Sequence, residues 1–179
     1  MHAELTRRSE QTRAELMSAF TRLVFAKGFE NVSAREVAAS AKVARSTFYE
    51  HFSGTEDVLR ACMTRFFAVV ADCVSAKDQP PDLTRVLDHL WSNRRLTDGI
   101  FSGHARSILA RNQADLVELR LRALSGDLVL PSRLAAIKIA EAQLALIEGW
   151  MRGRAFCPPD QLAAGLHRSS RATALALLA

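Results

Sequence analysis

Strand patterning is missing from this 179-residue sequence. No stretch alternates apolar and polar residues with the period of two that a half-buried strand needs, which excludes a sheet protein. Turn formers are scarce too. Eight glycines and five prolines leave long runs rich in Ala, Leu, Arg and Glu, all good helix formers. No apolar run approaches the ~20 residues of a membrane-spanning helix. The opening, MHAELTRRSEQTR, is polar where a secretory signal would be apolar, so the expected location is cytoplasmic.

Cysteine is also sparse, and its placement excludes most cysteine chemistry. Cys62 and Cys73 fall on one expected helix. At ~1.5 Å rise per residue they stand ~16 Å apart, too far for a disulfide. Cys157 precedes a Pro-Pro turn, and no pair has metal-ligand spacing. All three read as thiols, Cys62 and Cys73 as core residues. Catalytic signatures are absent as well. There is no G-x-S-x-G, H-E-x-x-H or phosphate loop, and the five histidines are scattered. Glu141 and Glu148 share a helix without a partner at catalytic spacing. The sequence reads as a protein that is not an enzyme and that needs neither metal nor cofactor.

What is present is a basic, helical chain. Net charge is +5 and the pI about 9.6, which suits a polyanionic partner. The excess is spread out: residues 1–55 hold eight Lys/Arg against six Asp/Glu, so charge alone locates no binding face. Periodicity predicts about nine helices. The first spans residues 9–27, capped by Ser9, with Leu16, Phe20, Leu23 and Val24 as its apolar stripe and Gly28 closing it. Ser33, three residues before Glu36, opens a short second helix in a capping box. Val43 plugs a tight turn, and a third short helix runs over residues 44–51. Thr55 caps a long fourth helix, residues 55–75, with Glu56 and Asp57 in its first turn. Asp82 caps a fifth. Further helical segments are expected near 97–103 and over 105–125, then after Pro131 and after Asp160.

The second and third helices form a helix-turn-helix. In such units the second helix enters the major groove. Here it is crowded with hydrogen-bonding side chains: Arg45, Ser46, Thr47, Tyr49 and His51. Arg45 suits bidentate contacts to guanine or phosphate. Ser46 and Thr47 are short donors for phosphate oxygens, and the Thr47 methyl can touch thymine. A merely solvated face is the competing reading of the same pattern. Val37, Ala38, Val43, Phe48 and Phe52 fall on inner faces and are assigned to a small core.

The stretch KGFENVSAREVAASAKVARSTFYEHFSGTEDVL, residues 27–59, resembles the TetR family of bacterial regulators, the tetracycline-repressor-like proteins. STFYEHF is the most characteristic part. The resemblance implies an N-terminal DNA-binding domain, residues 1–54, and a C-terminal ligand-binding and dimerisation domain, residues 55–179. It implies a DNA-facing set of Ser33, Arg35, Arg45, Ser46, Thr47, Tyr49, His51 and Thr55. Arg7 and Arg8, ahead of the first helix, either reach the DNA or form a solvated basic tail. Three positions depart from the family pattern. Lys42 stands where the turn usually has Gly. Ala44 replaces the usual Ser cap. Thr55 replaces a phosphate-contacting Lys.

By the same resemblance the chain is expected to be a ligand-responsive regulator, a repressor by default. It would bind a palindromic double-stranded operator as a homodimer and be released by a small-molecule effector. The alternative is a helical protein-partner-binding module without DNA function. Expected pocket liners are Cys62, Phe66, Trp91, Phe101, His104, Ile108 and Trp150, with plain core as the competing reading. Expected dimer-interface residues are Leu144, Ile147, Met151, Leu162, Leu166 and Leu175, where an intramolecular core competes.

Overall fold

Helix α1 runs from His2 to Lys27 in the computed structural model. The model describes residues 2–179, with all their side chains except those of 2–5, 95, 96 and 98. The helix therefore starts a full two turns before the expected Ser9 cap. Arg7 and Arg8 lie on it rather than in a tail ahead of it. A 3-10 turn over Phe29–Asn31 follows. Then come α2 (Ala34–Ser40), α3 (Arg45–His51), α4 (Thr55–Asp72), α5 (Leu83–Ser92) and the single turn α6 (Arg94–Thr97). A second 3-10 turn, Asp98–Phe101, leads into α7 (Gly103–Arg122), α8 (Ser132–Met151) and α9 (Pro159–Ala176). The all-α expectation holds. Eight helices have real length, and among the described residues the only β pairing is an isolated bridge between Leu128 and Leu178.

Several helix ends differ from the sequence reading. Gly54, not Thr55, occupies the cap position of α4, and Thr55 is its first residue. Asp82 sits at the cap of α5 without capping it, because its carboxylate is drawn to Arg85, 2.9 Å away. Pro158 and Pro159 start α9, leaving Asp160 inside the first turn. In each case the side chain named from sequence is near the helix end but spent elsewhere, or one residue out of register.

The packing has two centres. The larger joins α1–α3 to α4, α5 and α7 through Phe20, Phe48, Phe52, Phe67, Leu87 and Ile108, all essentially inaccessible. The smaller lies at the far end, where Ala114, Ala135, Ala136 and Ala140 let α7 and α8 approach closely around Val117, Leu121 and Ile139. Polar ties cross these layers. Gln143, fully inside, donates to the Val70 carbonyl (3.1 Å) and to Ser170 (3.0 Å), linking α8 to α4 and α9. Carbonyls of the turn beyond α4 are met from α9. Arg171 donates to Ser75 O at 3.0 Å, and His167 lies 3.1 Å from Ala76 O. Glu141 and Glu148 both bind Arg106 of α7, Glu141 through two nitrogens at 2.6 and 3.0 Å. That clamp fastens α7 to α8 and accounts for the two carboxylates.

The turn between α2 and α3 is a strained Schellman motif. Val43 N–H donates to Ala38 O (3.0 Å) and Lys42 N–H to Ala39 O (3.1 Å), closing the last turn of α2. The pattern forces the earlier of these donors along the chain into the left-handed region. Lys42 sits there at φ 58°, the only non-glycine with positive φ among the described residues. Ala44 then caps α3 with no side-chain acceptor to offer. Replacing Lys42→Gly should raise stability by about 1 kcal/mol, and Ala44→Ser by a similar amount, about 1 kcal/mol. Urea unfolding midpoints of the two variants and their double mutant check this, with an unchanged or lowered midpoint counting against it.

Candidate nucleic-acid interface

The helix-turn-helix, the candidate reading unit, is held in place by α1. Leu16, Ala19, Phe20 and Val24 are buried, and Phe20 meets Phe29 edge-on at 6.2 Å between ring centres. Nearer its start, the Arg13 guanidinium lies 4.3 Å over the Phe52 ring. Its Nη1 donates to the His51 carbonyl at 3.0 Å, an otherwise unsatisfied acceptor at the end of α3. Arg13 thus sets the angle of α3. The sequence reading passed over it, since nothing local to an exposed arginine on α1 points to a residue 38 positions away. At the other end Lys27 reaches Glu36 at 2.6 Å, fastening α1 to the start of α2.

Glu36 is the hub of that corner. Ser33 and Glu36 form the expected capping box: Glu36 N–H donates to Ser33 Oγ, and Ser33 N–H to Glu36 Oε2 at 3.0 Å. The Ser33 hydroxyl also donates to Glu36 Oε2 at 2.7 Å. Its proton is therefore committed to the cap. The hydrogen bond from Lys27, then those from Ser33, hold the Glu36 carboxyl down at about 2.

The exposed side of α3 carries the polar set. Phe48 points in and is fully buried, while Tyr49 remains 46 % exposed with its ring edge-on to Phe48 at 5.3 Å. Arg45 lies alongside, one turn back. Its Nη2 is 3.4 Å from the Tyr49 hydroxyl, and its guanidinium carbon is 5.5 Å from the ring centre. The two side chains thus project together from one face. Ser46 is exposed; Thr47 and His51 are half-buried. Thr47 and His51 line a groove of about 470 Å³ between α3 and the first half of α1, together with Arg8, Ser9, Thr12 and Glu50. Arg35 is exposed on α2, and Thr55 half-buried at the start of α4. Val43, expected inside the turn, is half-buried against the core.

The residues expected to line a pocket fall into separate groups. Phe101 and Ile108 are interior. Trp91 stacks on Trp150 at 4.6 Å, and the Trp150 indole donates to Cys157 O at 2.8 Å, so this pair is packing. His104 is exposed and lies 2.9 Å from Glu56. Cys62 and Phe66 line a cleft of about 510 Å³. Its other walls are Phe20, Val24 and Phe25 of α1, with residues of α5 and of the Asp98–Phe101 turn. Burial also holds the Cys62 thiol above its usual range, and that of Cys73 at about 12, so neither is a ready nucleophile. The expected interface residues fare similarly. Leu144, Ile147, Met151, Leu162 and Leu166 are buried within the protomer, and of the six only Leu175 is exposed. The helical stripe read as an intersubunit seam is the one that packs α8 and α9 onto their own neighbours. The outward apolar residues of α8 are Leu134, Ile137 and Leu146.

Comparison with known proteins bears on the same segment. Residues 16–62 match the family model described as bacterial regulatory proteins, tetR family. The chain carries a tetR-family N-terminal domain. That match covers the second half of α1, the helix-turn-helix and the start of α4. Solved structures share the fold over nearly the whole chain. A TetR transcriptional regulator from Streptococcus agalactiae aligns with a TM-score of 0.59 at 17 % identity, over 96 % of this chain and 99 % of that one. NalD, the secondary repressor of the MexAB-OprM multidrug efflux pump in Pseudomonas aeruginosa, gives 0.55 at 22 % identity, over 91 % and 95 %. The dihydroxyacetone kinase operon activator DhaS gives 0.53 at 19 % identity, over 94 % and 98 %. No curated protein matches the sequence. The TetR-like architecture of α4–α9 is thus shared as fold, while the family signature itself resides in the reading unit. No described helix is long and apolar enough to cross a membrane.

Two outcomes follow for this corner of the molecule. Arg13→Ala should cost about 1 kcal/mol of stability by freeing the end of α3, and should weaken any contact made by α3; denaturation with parallel DNA titration reads both effects. The Glu36 carboxyl is depressed in the folded state, so its contribution is complete above the unfolded value near 4.5 and is lost as pH falls towards 2. Unfolding measured across that window should show wild type losing stability on acidification, with Glu36→Gln starting lower and showing less of that loss. Parallel curves would contradict the assignment.

Proposed function

We propose that this tetR-family regulator binds a palindromic double-stranded DNA operator as a homodimer, represses by occupying it, and is released by a small-molecule effector. The observation that carries the reading is the paired projection of Arg45 and Tyr49 from a helix whose opposite side is locked down by Phe48, Phe52 and Arg13. A merely solvated helix has no need of so rigid a mount. In this reading residues 1–54 read DNA and residues 55–179 bind effector and partner copy. Arg45 contacts guanine or phosphate, Tyr49 and Ser46 the backbone, and Thr47 a base edge. Arg35, His51 and Thr55 flank them, with Ser33 contributing through the cap it builds. Arg8, on the wall of the groove beside α3, adds a cation close to the reading surface. A protein with this task works where the DNA is, in the cytoplasm.

Fluorescence anisotropy with DNA from upstream of its own coding sequence tests this. Affinity should fall steeply with salt, because each phosphate neutralised releases counterions. Arg45→Ala and Tyr49→Ala should each lose about 1–3 kcal/mol of specific binding. Binding equal to random DNA and indifferent to both variants would favour the protein-partner module instead.

The dimer follows from the two-fold logic of helix-turn-helix readers. Its face here is the outward side of α8 and α9, Leu134, Leu146 and Leu175 among small residues such as Ala142, Ala145 and Ala172. These exposed positions replace the buried ones expected from sequence. Leu134→Glu combined with Leu175→Glu should give a folded monomer by light scattering, with operator affinity reduced at least tenfold. A dimer that survives both changes would place the interface elsewhere.

A further inference from the structure

The cleft beside α1 has a chemistry of its own. Its body is apolar: Phe20 and Val24 from α1, Leu59 and Phe66 from α4, Leu90 from α5, and Ile100 beyond α6. Its volume of about 510 Å³ lies in the usual range for small-molecule sites. The charged groups on its lining are all cationic or basic: Arg65, Arg85 and His89. Among the described residues no carboxylate lines it. The nearest partner of the two arginines is Asp82, 2.9 Å from Arg85 and 4.0 Å from Arg65. One carboxylate between two guanidiniums leaves the rim a net positive charge. Arg65 also stays 76 % exposed along its side chain, free to swing onto a bound group.

We infer that this cleft binds a molecule with an extended apolar body and a single negative head group, the body between α1 and α4 and the head at Arg65 and Arg85. Apolar burial supplies the affinity, and the rim selects the charge, since a cationic head would meet like charge there. The site also explains how binding reaches DNA, and in this respect it rests on the regulator reading. One wall is α1, the helix that carries Arg13 and Lys27 and so sets α3 and α2. The other wall is α4 and α5. A ligand seated between them changes the α1–α4 spacing directly, without a relay through the rest of the bundle. It acts only in so far as it favours one spacing over the other.

Isothermal titration calorimetry of the full chain with decanoate, decanol and decyltrimethylammonium, each below its micelle concentration, tests the inference. Decanoate should bind at least tenfold more tightly than decanol, and the cation least. Arg65→Ala with Arg85→Ala, both at exposed positions, should bring decanoate to within twofold of decanol. Asp82→Asn should tighten decanoate severalfold by freeing both guanidiniums. Val86, on α5, also lines the cleft; Val86→Trp, which fills it, should abolish binding of both. Equal affinity for acid and alcohol, no decanoate binding, or full binding in Val86→Trp would overturn the inference. Operator anisotropy run alongside separates the two readings. Salt-sensitive DNA binding without decanoate binding would sink this site and leave the regulator. Decanoate binding with the stated selectivity in a chain that ignores DNA would uphold the site and sink the regulator.

Discussion

Helix α1 is shared between two bodies, and the rest of the structure depends on that sharing. Leu16, Ala19, Phe20 and Val24 bury one stripe against α2–α3 and α4 together. Because the stripe is common, any change in the α1–α4 spacing is felt in the core of the helix-turn-helix. Arg13 and Lys27 add direction to what apolar burial alone would leave free to rotate. The first fixes the end of α3, the second the beginning of α2. Apolar contacts supply most of the adhesion, while these two polar contacts decide the angle.

Against that frame the irregularities of the helix-turn-helix make physical sense. A seven-residue helix is far too short to stand by its own hydrogen bonds. It persists because Phe48 and Phe52 are fully buried and because Arg13 satisfies its last turn. The unit therefore tolerates Lys42 in the left-handed region and an uncapped start at Ala44. Tertiary packing carries the local cost that the turn itself does not repay.

The larger bundle is fastened differently. Here alanines at the α7–α8 contact bring backbones close, and buried or half-buried polar groups lock the register: Gln143 across α4, α8 and α9, and Arg106 across α7 and α8. Neighbours that share this fold include both an activator and a repressor by their own descriptions, so the fold by itself does not set the sign of regulation.

The sequence by itself determined the helical class, the position of the helix-turn-helix, the capping box at Ser33 and Glu36, and the inward face of Phe48 and Phe52. These depend on neighbours three or four residues away, and such neighbours are visible in a string. The strain at Lys42 was legible through the family resemblance, which has Gly at that place in the turn. Only the tertiary structure decided which stripe of α8 and α9 faces inward, because both sides of those helices carry Leu and Ala and periodicity cannot rank them. It alone showed that Trp91 stacks on Trp150. It alone joined Arg13 to His51 and set α1 opposite Arg65 and Arg85. Those pairings span dozens of positions along the chain, and nothing short of packing the helices brings their partners into view.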